Sequence, residues 1–303
     1  MMEMTLFQQK ITALLPNIEL RLNEPMAKHT SFQIGGPAEA MAFPKNNNEL
    51  AEILKQSVLL DCKTAILGAG TNILAPDQGM SGLVICLKDC MDGIERLDNN
   101  RIRVAAGVTM ARAAVFAAGQ GLGGMEFAHG IPGTVGGGVY MNAGAYGGEI
   151  KDICESVDVM RPDGTLETLT NEQMGFSYRH SRLEDEQGIV VSVVLVLNPK
   201  PEAEIREQMQ DLLKKRKASQ PLEYPSAGSA FKRPVGGFAA ALIDQAGLKG
   251  FQIGGAAVSE KHAGFVVNLG GATAADVLNL LEQVAQIVTE RSGIQLEPEV
   301  RIW

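Results

Sequence analysis

Glycine-rich segments in the middle of the chain carry the residue pattern that most directly suggests chemistry. Eleven of the 34 glycines fall between Gly121 and Gly148. They are concentrated in Gly130-Ile-Pro-Gly-Thr-Val-Gly-Gly-Gly138 and Asn142-Ala-Gly-Ala-Tyr-Gly-Gly148, which are too dense in glycine for an ordinary helix or strand interior. Glycine lets backbone amides approach a ligand closely, so these segments could hold the pyrophosphate of a dinucleotide. Tight turns packed against a sheet are the alternative, and glycine density alone does not separate the two.

A second amide-rich loop, Gly68-Ala-Gly-Thr-Asn72, follows a strand predicted over 64–67. It does not match the Rossmann fingerprint, because Ile73 stands where the third glycine would fall. No Walker motif occurs in the chain. Two separate loops therefore predict a dinucleotide held outside a Rossmann frame.

The four cysteines do not suggest a metal or redox centre. Cys62, Cys86, Cys90 and Cys154 show neither a two-residue spacing nor histidines at ligand distance. We predict no metal site, and we interpret the cysteines as small buried side chains in a reducing compartment.

Helix and strand signals alternate along the whole chain, as in α/β or α+β proteins. They predict helices over 48–59, 109–118, 202–219 and 273–291, with Thr109 as one N-cap and Thr273 paired with Asp276 at another. They also predict strands over 64–67, 157–160, 189–197 and 297–302. Two prolines in Asn198-Pro-Lys-Pro201 indicate a domain boundary there.

The composition is that of a globular protein and bounds the choice of partners. The 303 residues include 27 Lys plus Arg and 35 Asp plus Glu, a net charge of −8, with 45% hydrophobic and 20% charged residues. Such a length predicts two or three cores. The negative charge argues against nucleic acid or an anionic membrane as partner. No run of 18 apolar residues and no signal peptide occur, so we expect a cytoplasmic protein without a membrane span.

An ordered set of longer motifs runs from one end of the chain to the other. They are His29-Thr-Ser-Phe-Gln-Ile-Gly-Gly36, the Gly68, Gly130 and Asn142 segments, Phe176-Ser-Tyr-Arg-His-Ser181, Tyr224-Pro-Ser-Ala-Gly-Ser-Ala-Phe-Lys-Arg-Pro234, Gly254-Gly-Ala-Ala-Val-Ser-Glu-Lys-His-Ala-Gly264 and Glu297-Pro-Glu-Val-Arg301. In these motifs the chain resembles the UDP-N-acetylenolpyruvoylglucosamine reductase (MurB) family. It resembles the shorter, second type, since the stretch from 176 to 224 has no room for an inserted tyrosine loop.

The resemblance implies an α+β flavoprotein of the vanillyl-alcohol-oxidase-like (PCMH-type) fold. Two α+β subdomains, with a boundary near 75, would form an FAD-binding region over 1–199, and an α/β substrate-binding domain would occupy 200–303. FAD would be bound noncovalently, and His129 would be a loop residue. The implied cofactor-binding residues are Gly68, Ala69, Gly70, Thr71, Asn72, Ile131, Pro132, Gly133, Thr134, Val135, Gly136, Asn142, Gly144 and Ala145.

The same resemblance implies a reaction in peptidoglycan precursor synthesis. NADPH would reduce FAD, and UDP-N-acetylglucosamine enolpyruvate would then receive the hydride at C3 and a proton at C2, giving UDP-N-acetylmuramate. We expect the enzyme to be a monomer.

Three residues match the family's catalytic positions. Ser229 would donate the proton, since even a weak acid can protonate an enolate carbon. The alternatives are a turn serine after Gly228 or a hydrolase nucleophile, and the latter fails because the elbow glycines are replaced by Ala227 and Phe231.

Glu299 would orient or polarise the enolpyruvyl carboxylate, although Glu297 shares its face of the predicted strand. Arg179 would hold that carboxylate through two parallel hydrogen bonds. An exposed arginine paired with a neighbouring acid is the alternative.

The UDP diphosphate requires cations, and the candidate substrate-binding residues are Lys232, Arg233, Arg216, Tyr178, Lys261 and His262. Solvent exposure is the alternative for each lysine. Ser219 and Ala241 stand where many relatives carry lysine, which leaves the nucleotide contacts open.

Two other functions remain compatible with the sequence. One is an oxidase on the same FAD scaffold that passes electrons from an alcohol or sugar to dioxygen. The other is a binding protein for a nucleotide or UDP-sugar that has lost turnover.

Overall fold

A computed structural model describes residues 3–98 and 100–303, which belong to two compact units. The first unit comprises Met1–Leu22, Glu39–Ala69 and Ser81–Lys214, and the second comprises Asn23–Ala38, Gly70–Met80 and Lys215–Trp303. The second unit thus draws on three separate stretches of chain. The domain boundaries that the sequence indicates near 75 and at 199 stay predictions.

The elements are as follows. The helices are α1 (Leu6–Leu14), α2 (Asn47–Leu59), α3 (Met110–Gly119), α4 (Val135–Tyr140), α5 (Glu202–Ser219), α6 (Ala239–Gln245) and α7 (Ala274–Ser292). The strands are β1 (Glu19–Pro25), β2 (Pro37–Phe43), β3 (Thr64–Leu67), β4 (Ile73–Leu74), β5 (Met80–Cys86), β6 (Ile94–Arg96), β7 (Arg101–Ala105), β8 (Leu122–Gly123), β9 (Gly144–Ala145), β10 (Gly148–Glu149), β11 (Cys154–Met160), β12 (Leu166–Thr170), β13 (Ile189–Val196), β14 (Asn198–Pro199), β15 (Ser226–Ser229), β16 (Gln252–Ile253), β17 (Ala256–Val258), β18 (Phe265–Asn268) and β19 (Arg301–Ile302).

The first unit is built around an antiparallel sheet of order β12-β11-β13-β7-β6. Its central strand, β13, has the sequence IVVSVVLV and is buried at every position except Ser192 and Val196. β11 and β7 pair with both edges of β13 and α4 packs against it, and apolar residues on both faces of the strand are buried. A second sheet has the order β1-β2-β5-β3, in which β3 and β5 are parallel.

The helix predictions are confirmed, and the caps explain where the helices begin. The Thr109 side chain accepts from the backbone N–H of Arg112 at the start of α3. Thr273 and Asp276 form a reciprocal capping box on α7, which satisfies two otherwise unpaired amides. The apolar side of α7 is buried in the core of the second unit.

The second unit contains an antiparallel sheet of order β15-β18-β17-β16, with α7 packed on β16 and β17. The strand predicted over 297–302 is wrong in extent. Pro298 forms only an isolated bridge with Phe231, and the chain then pairs in parallel with β4 through β19. Because proline lacks a backbone N–H, a continuous ladder does not pass through this point, and the segment is divided between two partners.

The helices are also relevant to whether the described residues could span a membrane. None of the helices within residues 3–98 and 100–303 combines the length and apolar character needed to cross a bilayer.

Candidate active site

The two amide-rich loops of the first unit meet at Gly68 and Thr134. A Cβ atom on Gly68 would lie 2.4 Å from the Thr134 hydroxyl oxygen, so no side chain fits at position 68. That hydroxyl is fixed, because it accepts from the backbone N–H of Gly137 at 3.3 Å and caps α4. The backbone of the loop after β3 therefore packs directly against the Thr134 side chain of the loop before α4.

Part of the glycine density serves packing. A Cβ on Gly136 would lie 2.8 Å from the Ala106 Cβ, and one on Gly138 would lie 2.9 Å from the Met110 sulfur. Val135 is fully buried in the core of the first unit. The tight-packing interpretation therefore holds for Gly136 and Gly138, while Ile131, Pro132 and Gly133 form the partly accessible stretch of this loop.

The side chain of Asn142 forms its hydrogen bonds with other residues of the protein. It is 1% exposed, has a φ of 44°, and donates to the Glu149 carboxylate at 2.7 Å and to the Ser177 carbonyl at 2.9 Å. Its amide oxygen accepts from the backbone N–H of Lys151 at 3.0 Å. Any contact of Asn142 with a cofactor would therefore be through its backbone. Gly144 and Ala145 follow it in β9, which pairs with β10.

Arg179 lies at the tip of a tight turn in the first unit. Ser177 and His180 exchange two backbone hydrogen bonds, and Arg179 between them has a φ of 57°. A left-handed conformation at a residue other than glycine is strained by roughly 1–2 kcal/mol. Its guanidinium lies 5.3 Å from the Tyr178 ring centroid and 3.5 Å from the carbonyl oxygen of Gly144. The turn thus presents Arg179 beside β9, one of the predicted cofactor contacts.

His129, which the sequence interpretation treats as a loop residue, has a buried ring nitrogen. It follows the short 3-10 helix Glu126–Ala128 and directly precedes the Gly130 segment. Its Nδ1 is buried and has no hydrogen-bond partner among the described residues, and burial lowers the pKa of the imidazole. Buried polar atoms are nearly always paired, so this nitrogen calls for a polar partner such as an ordered water or a ligand atom.

In the second unit, the structure brings Ser229 and Glu299 together. Ser229 ends β15 and is exposed. The next residue, Ala230, accepts through its carbonyl from the backbone N–H of Glu299 at 2.9 Å. Glu297, the competing acid, is instead exposed and forms an ion pair with Lys232. Glu297 and Glu299 are equivalent by sequence spacing, but their different contacts in the structure distinguish them.

Asn72 is next to the same pair of segments. Its side-chain amide donates to the carbonyl oxygen of Glu299 at 3.1 Å, and its own carbonyl accepts from the N–H of Arg301 at 2.9 Å. Gly70 is confined by the chain at His29, since a Cβ there would lie 2.0 Å from the His29 carbonyl oxygen. The end of the Gly68–Asn72 loop is thus fixed against the segment that carries Glu299.

The predicted substrate-binding residues make several contacts within the protein. Lys261 donates to the carbonyl of Lys217 in the last turn of α5 at 2.8 Å, a C-terminal helix contact. His262 accepts at Nδ1 from the N–H of Gly264 at 3.1 Å, and burial lowers the pKa of its ring.

The Arg233 guanidinium stacks 4.1 Å from the centroid of the Phe238 ring. Arg216 lies in α5, and Tyr178 is 51% exposed. Contacts of these residues with a nucleotide stay predictions.

No metal centre is formed by the described residues, in which no three His, Cys, Asp or Glu side chains are grouped to hold an ion. All four cysteines are free thiols.

Comparison with protein families matches the two parts of the chain to different models. Residues 38–170 match the model described as FAD binding domain. Residues 220–303 match the model described as UDP-N-acetylenolpyruvoylglucosamine reductase, C-terminal domain.

Similar proteins match over nearly the full length. The UDP-N-acetylenolpyruvoylglucosamine reductase of Agathobacter rectalis is 46% identical over 307 residues, which cover 98% of each chain. That of Caldanaerobacter subterraneus subsp. tengcongensis is 45% identical and covers 97% of this chain and 96% of its own. The crystal structure of the MurB reductase from Thermus caldophilus superposes with a TM-score of 0.80 at 37% identity, covering 95% of this chain and 99% of that one. The prediction of an α+β fold with an FAD-binding domain is confirmed.

Proposed function

Because this chain belongs to the UDP-N-acetylenolpyruvoylglucosamine reductase family of oxidoreductases, we propose that it reduces UDP-N-acetylglucosamine enolpyruvate to UDP-N-acetylmuramate. NADPH would be the electron donor and noncovalent FAD the carrier. The observation that carries the proposal is the hydrogen bond from the Glu299 N–H to the Ala230 carbonyl. It supports the pairing of an acid with the exposed hydroxyl of Ser229 in one site.

The residues present fit FAD. Gly68 leaves no room for a side chain where its loop meets Thr134, and the buried Nδ1 of His129 lacks a partner among the described residues. The loops Gly68–Asn72 and Ile131–Gly136, together with Asn142, Gly144 and Ala145, would hold the cofactor. Bound FAD would supply hydride transfer, which no side chain of the protein can perform.

Ser229 is proposed to give the proton to C2 of the substrate. After hydride addition at C3, the substrate has enolate character at C2, and a carbon base of this strength takes a proton even from a hydroxyl. The exposure of Ser229 at the end of β15 leaves the hydroxyl accessible to a substrate. The hydroxyl must be held at hydrogen-bond distance from the carbon for this to be efficient.

Arg179 and Glu299 are proposed to act on the enolpyruvyl group. A guanidinium can hold the carboxylate in two parallel hydrogen bonds and stabilise the negative charge that grows into it. The turn that presents Arg179 is held through Ser177 by buried Asn142, which supports a fixed guanidinium. Glu299 would orient the carboxylate and the intermediate.

Arg233 is proposed to pair with the substrate diphosphate, with Lys232, Arg216, Tyr178, Lys261 and His262 as further candidates. A protein of net charge −8 needs local cations to bind a dianionic diphosphate. Lys232 would have to exchange its Glu297 partner for the diphosphate. We further propose that the enzyme is a cytoplasmic monomer that serves peptidoglycan precursor synthesis.

Anaerobic half-reactions test the proposal. NADPH should bleach the bound flavin, and the enolpyruvyl substrate should restore its absorbance. Ser229→Ala should leave the first half-reaction within about twofold and slow the second by about 100-fold or more, the usual size of a lost acid.

Other results would contradict the proposal. Equal slowing of both half-reactions in Ser229→Ala would contradict the proposal that Ser229 is the proton donor. Rapid oxygen consumption without the UDP substrate would favour an oxidase, and ligand binding without NADPH oxidation would favour a noncatalytic binding protein.

A further inference from the structure

We propose that Ser31 and Asn72 are positioning residues for the proposed reduction. They fasten the segments that carry Ser229 and Glu299 to the Gly70–Asn72 loop. The inference rests on the proposed function for the roles of Ser229 and Glu299, but the contacts themselves all lie within the second unit.

Ser31 ties the loop to β15. Its backbone N–H donates to the carbonyl oxygen of Gly70 at 3.0 Å. Its hydroxyl donates to the carbonyl oxygen of Ser226 at 2.6 Å, with a longer contact of 3.3 Å to Gly70. Ser226 opens the strand that ends at Ser229. A single small side chain therefore fixes the start of the strand that presents the proposed proton donor.

Asn72 ties the same loop to the Glu299 segment. Its side-chain amide donates to the main-chain carbonyl of Glu299, and its carbonyl accepts from Arg301. Both contacts are made to main-chain atoms of the 299–301 segment, so neither engages the carboxylate of Glu299. Asn72 is therefore suited to place Glu299 without setting its charge.

The two ties close into a ring of hydrogen bonds. The loop is bonded to β15 through Ser31 and to the C-terminal segment through Asn72, and the Glu299–Ala230 bond joins those two segments. Closed networks hold their members more rigidly than the separate bonds would. Any displacement of the loop would thus be passed to both proposed catalytic residues, and a shift of about 1 Å can slow a reaction by about 100-fold.

Kinetics of the holoenzyme test the Ser31 tie. Ser31→Ala should slow reoxidation of reduced flavin by the enolpyruvyl substrate about tenfold, with flavin reduction by NADPH changed less than about twofold. The midpoint of the pH profile should not move, since no titrating group is altered. Ser31→Thr keeps the hydroxyl and should restore the rate, whereas the nearly isosteric Ser31→Cys should not.

Ser57→Ala is the matched control. The Ser57 hydroxyl is buried and donates to the carbonyl of Ile53 at 2.8 Å within α2 of the first unit. Its loss should leave both half-reactions within about twofold of wild type. Equal slowing of both half-reactions by Ser31→Ala, a wild-type rate, or failure of Ser31→Thr to restore it would overturn the inference.

Amide hydrogen exchange tests the Asn72 tie without any turnover. Asn72→Asp replaces the donor by an acceptor facing the Glu299 carbonyl, so exchange in the peptide 297–303 should accelerate about tenfold. The control is Asn171→Asp, because Asn171 also donates to two main-chain carbonyls, those of Lys151 and Cys154, each at 2.7 Å. Unchanged exchange in Asn72→Asp, or equal acceleration of that peptide in Asn171→Asp, would overturn the inference. Since exchange needs no substrate, the proposed function can fail while the tie stands.

Discussion

Replacement of Gly68 by alanine should separate the two loops of the first unit, and a second substitution should reverse the effect. The new methyl group would lie 2.4 Å from the Thr134 hydroxyl oxygen, while the next Thr134 atoms are the Cβ at 3.6 Å and the Cγ2 at 3.7 Å. The clash therefore involves one atom, and that atom is held in place by its capping bond to Gly137.

The structure gives the expected magnitudes. Overpacking of this kind destabilises by about 1–3 kcal/mol, and Thr134→Ala alone should lose about 1 kcal/mol for the N-cap. In the double variant the methyl meets only the Cβ at ordinary contact distance, so the total should stay near 1 kcal/mol. The double-mutant cycle should then show a coupling of about 1–3 kcal/mol between the two positions.

Urea unfolding of the four proteins of the cycle measures the coupling, and the flavin content of each purified protein is a second readout. Flavin content should fall in Gly68→Ala and recover in the double variant. Gly119→Ala is the control, since no heavy atom lies within 4 Å of its added methyl, and it should not destabilise the protein. Additive effects in the cycle, or equal effects of the two glycine substitutions, would refute the packing argument.

Three further outcomes are expected. Burial lowers the pKa values of His129 and His262, so at mildly acidic pH the unfolded chain binds more protons than the folded one. The urea midpoint of unfolding should therefore fall as the pH is lowered from 7.5 to 5.5. His262→Gln should weaken this pH dependence. Burial raises the pKa of Cys86 to about 11 and that of Cys154 to about 12, so a thiol reagent at pH 8 should modify both far more slowly in the native protein than in denaturant. Asp276→Ala removes its contacts at the start of α7 and should lower the free energy of unfolding, measured by urea titration.

Local signals account for the parts of the fold that could be predicted. The α7 cap needs only Thr273 and Asp276, three residues apart, and the buried strand β13 is indicated by seven apolar residues out of eight. The family resemblance rests on the order of the motifs along the chain and can be recognised without a structure. Such features depend on neighbours in the chain, which a single sequence displays.

Contacts between distant residues account for what could not be predicted. The Asn72–Glu299 bond spans 227 positions and the Ser31–Ser226 bond spans 195, and neither pair carries a pattern in the sequence. Spacing alone also could not distinguish Glu297 from Glu299, because it assumes a continuous strand with both residues on one face. In the structure that strand is broken at Pro298. Likewise, Lys261 resembles a phosphate ligand in sequence but contacts the end of α5. The unpaired nitrogen of His129 emerges only once its surroundings are folded.

The parallel pairing of β4 with β19 has a consequence for biogenesis. On the ribosome, Ile73 emerges long before Arg301, its partner in the sheet. Until β19 has been synthesised, β4 has no partner strand, and the backbone groups that would pair with β19 stay unpaired. Chaperone contact and proteolysis during synthesis should therefore concentrate on the stretch around residues 70–80, and protection should arrive only after residues 301–302 have emerged from the ribosome.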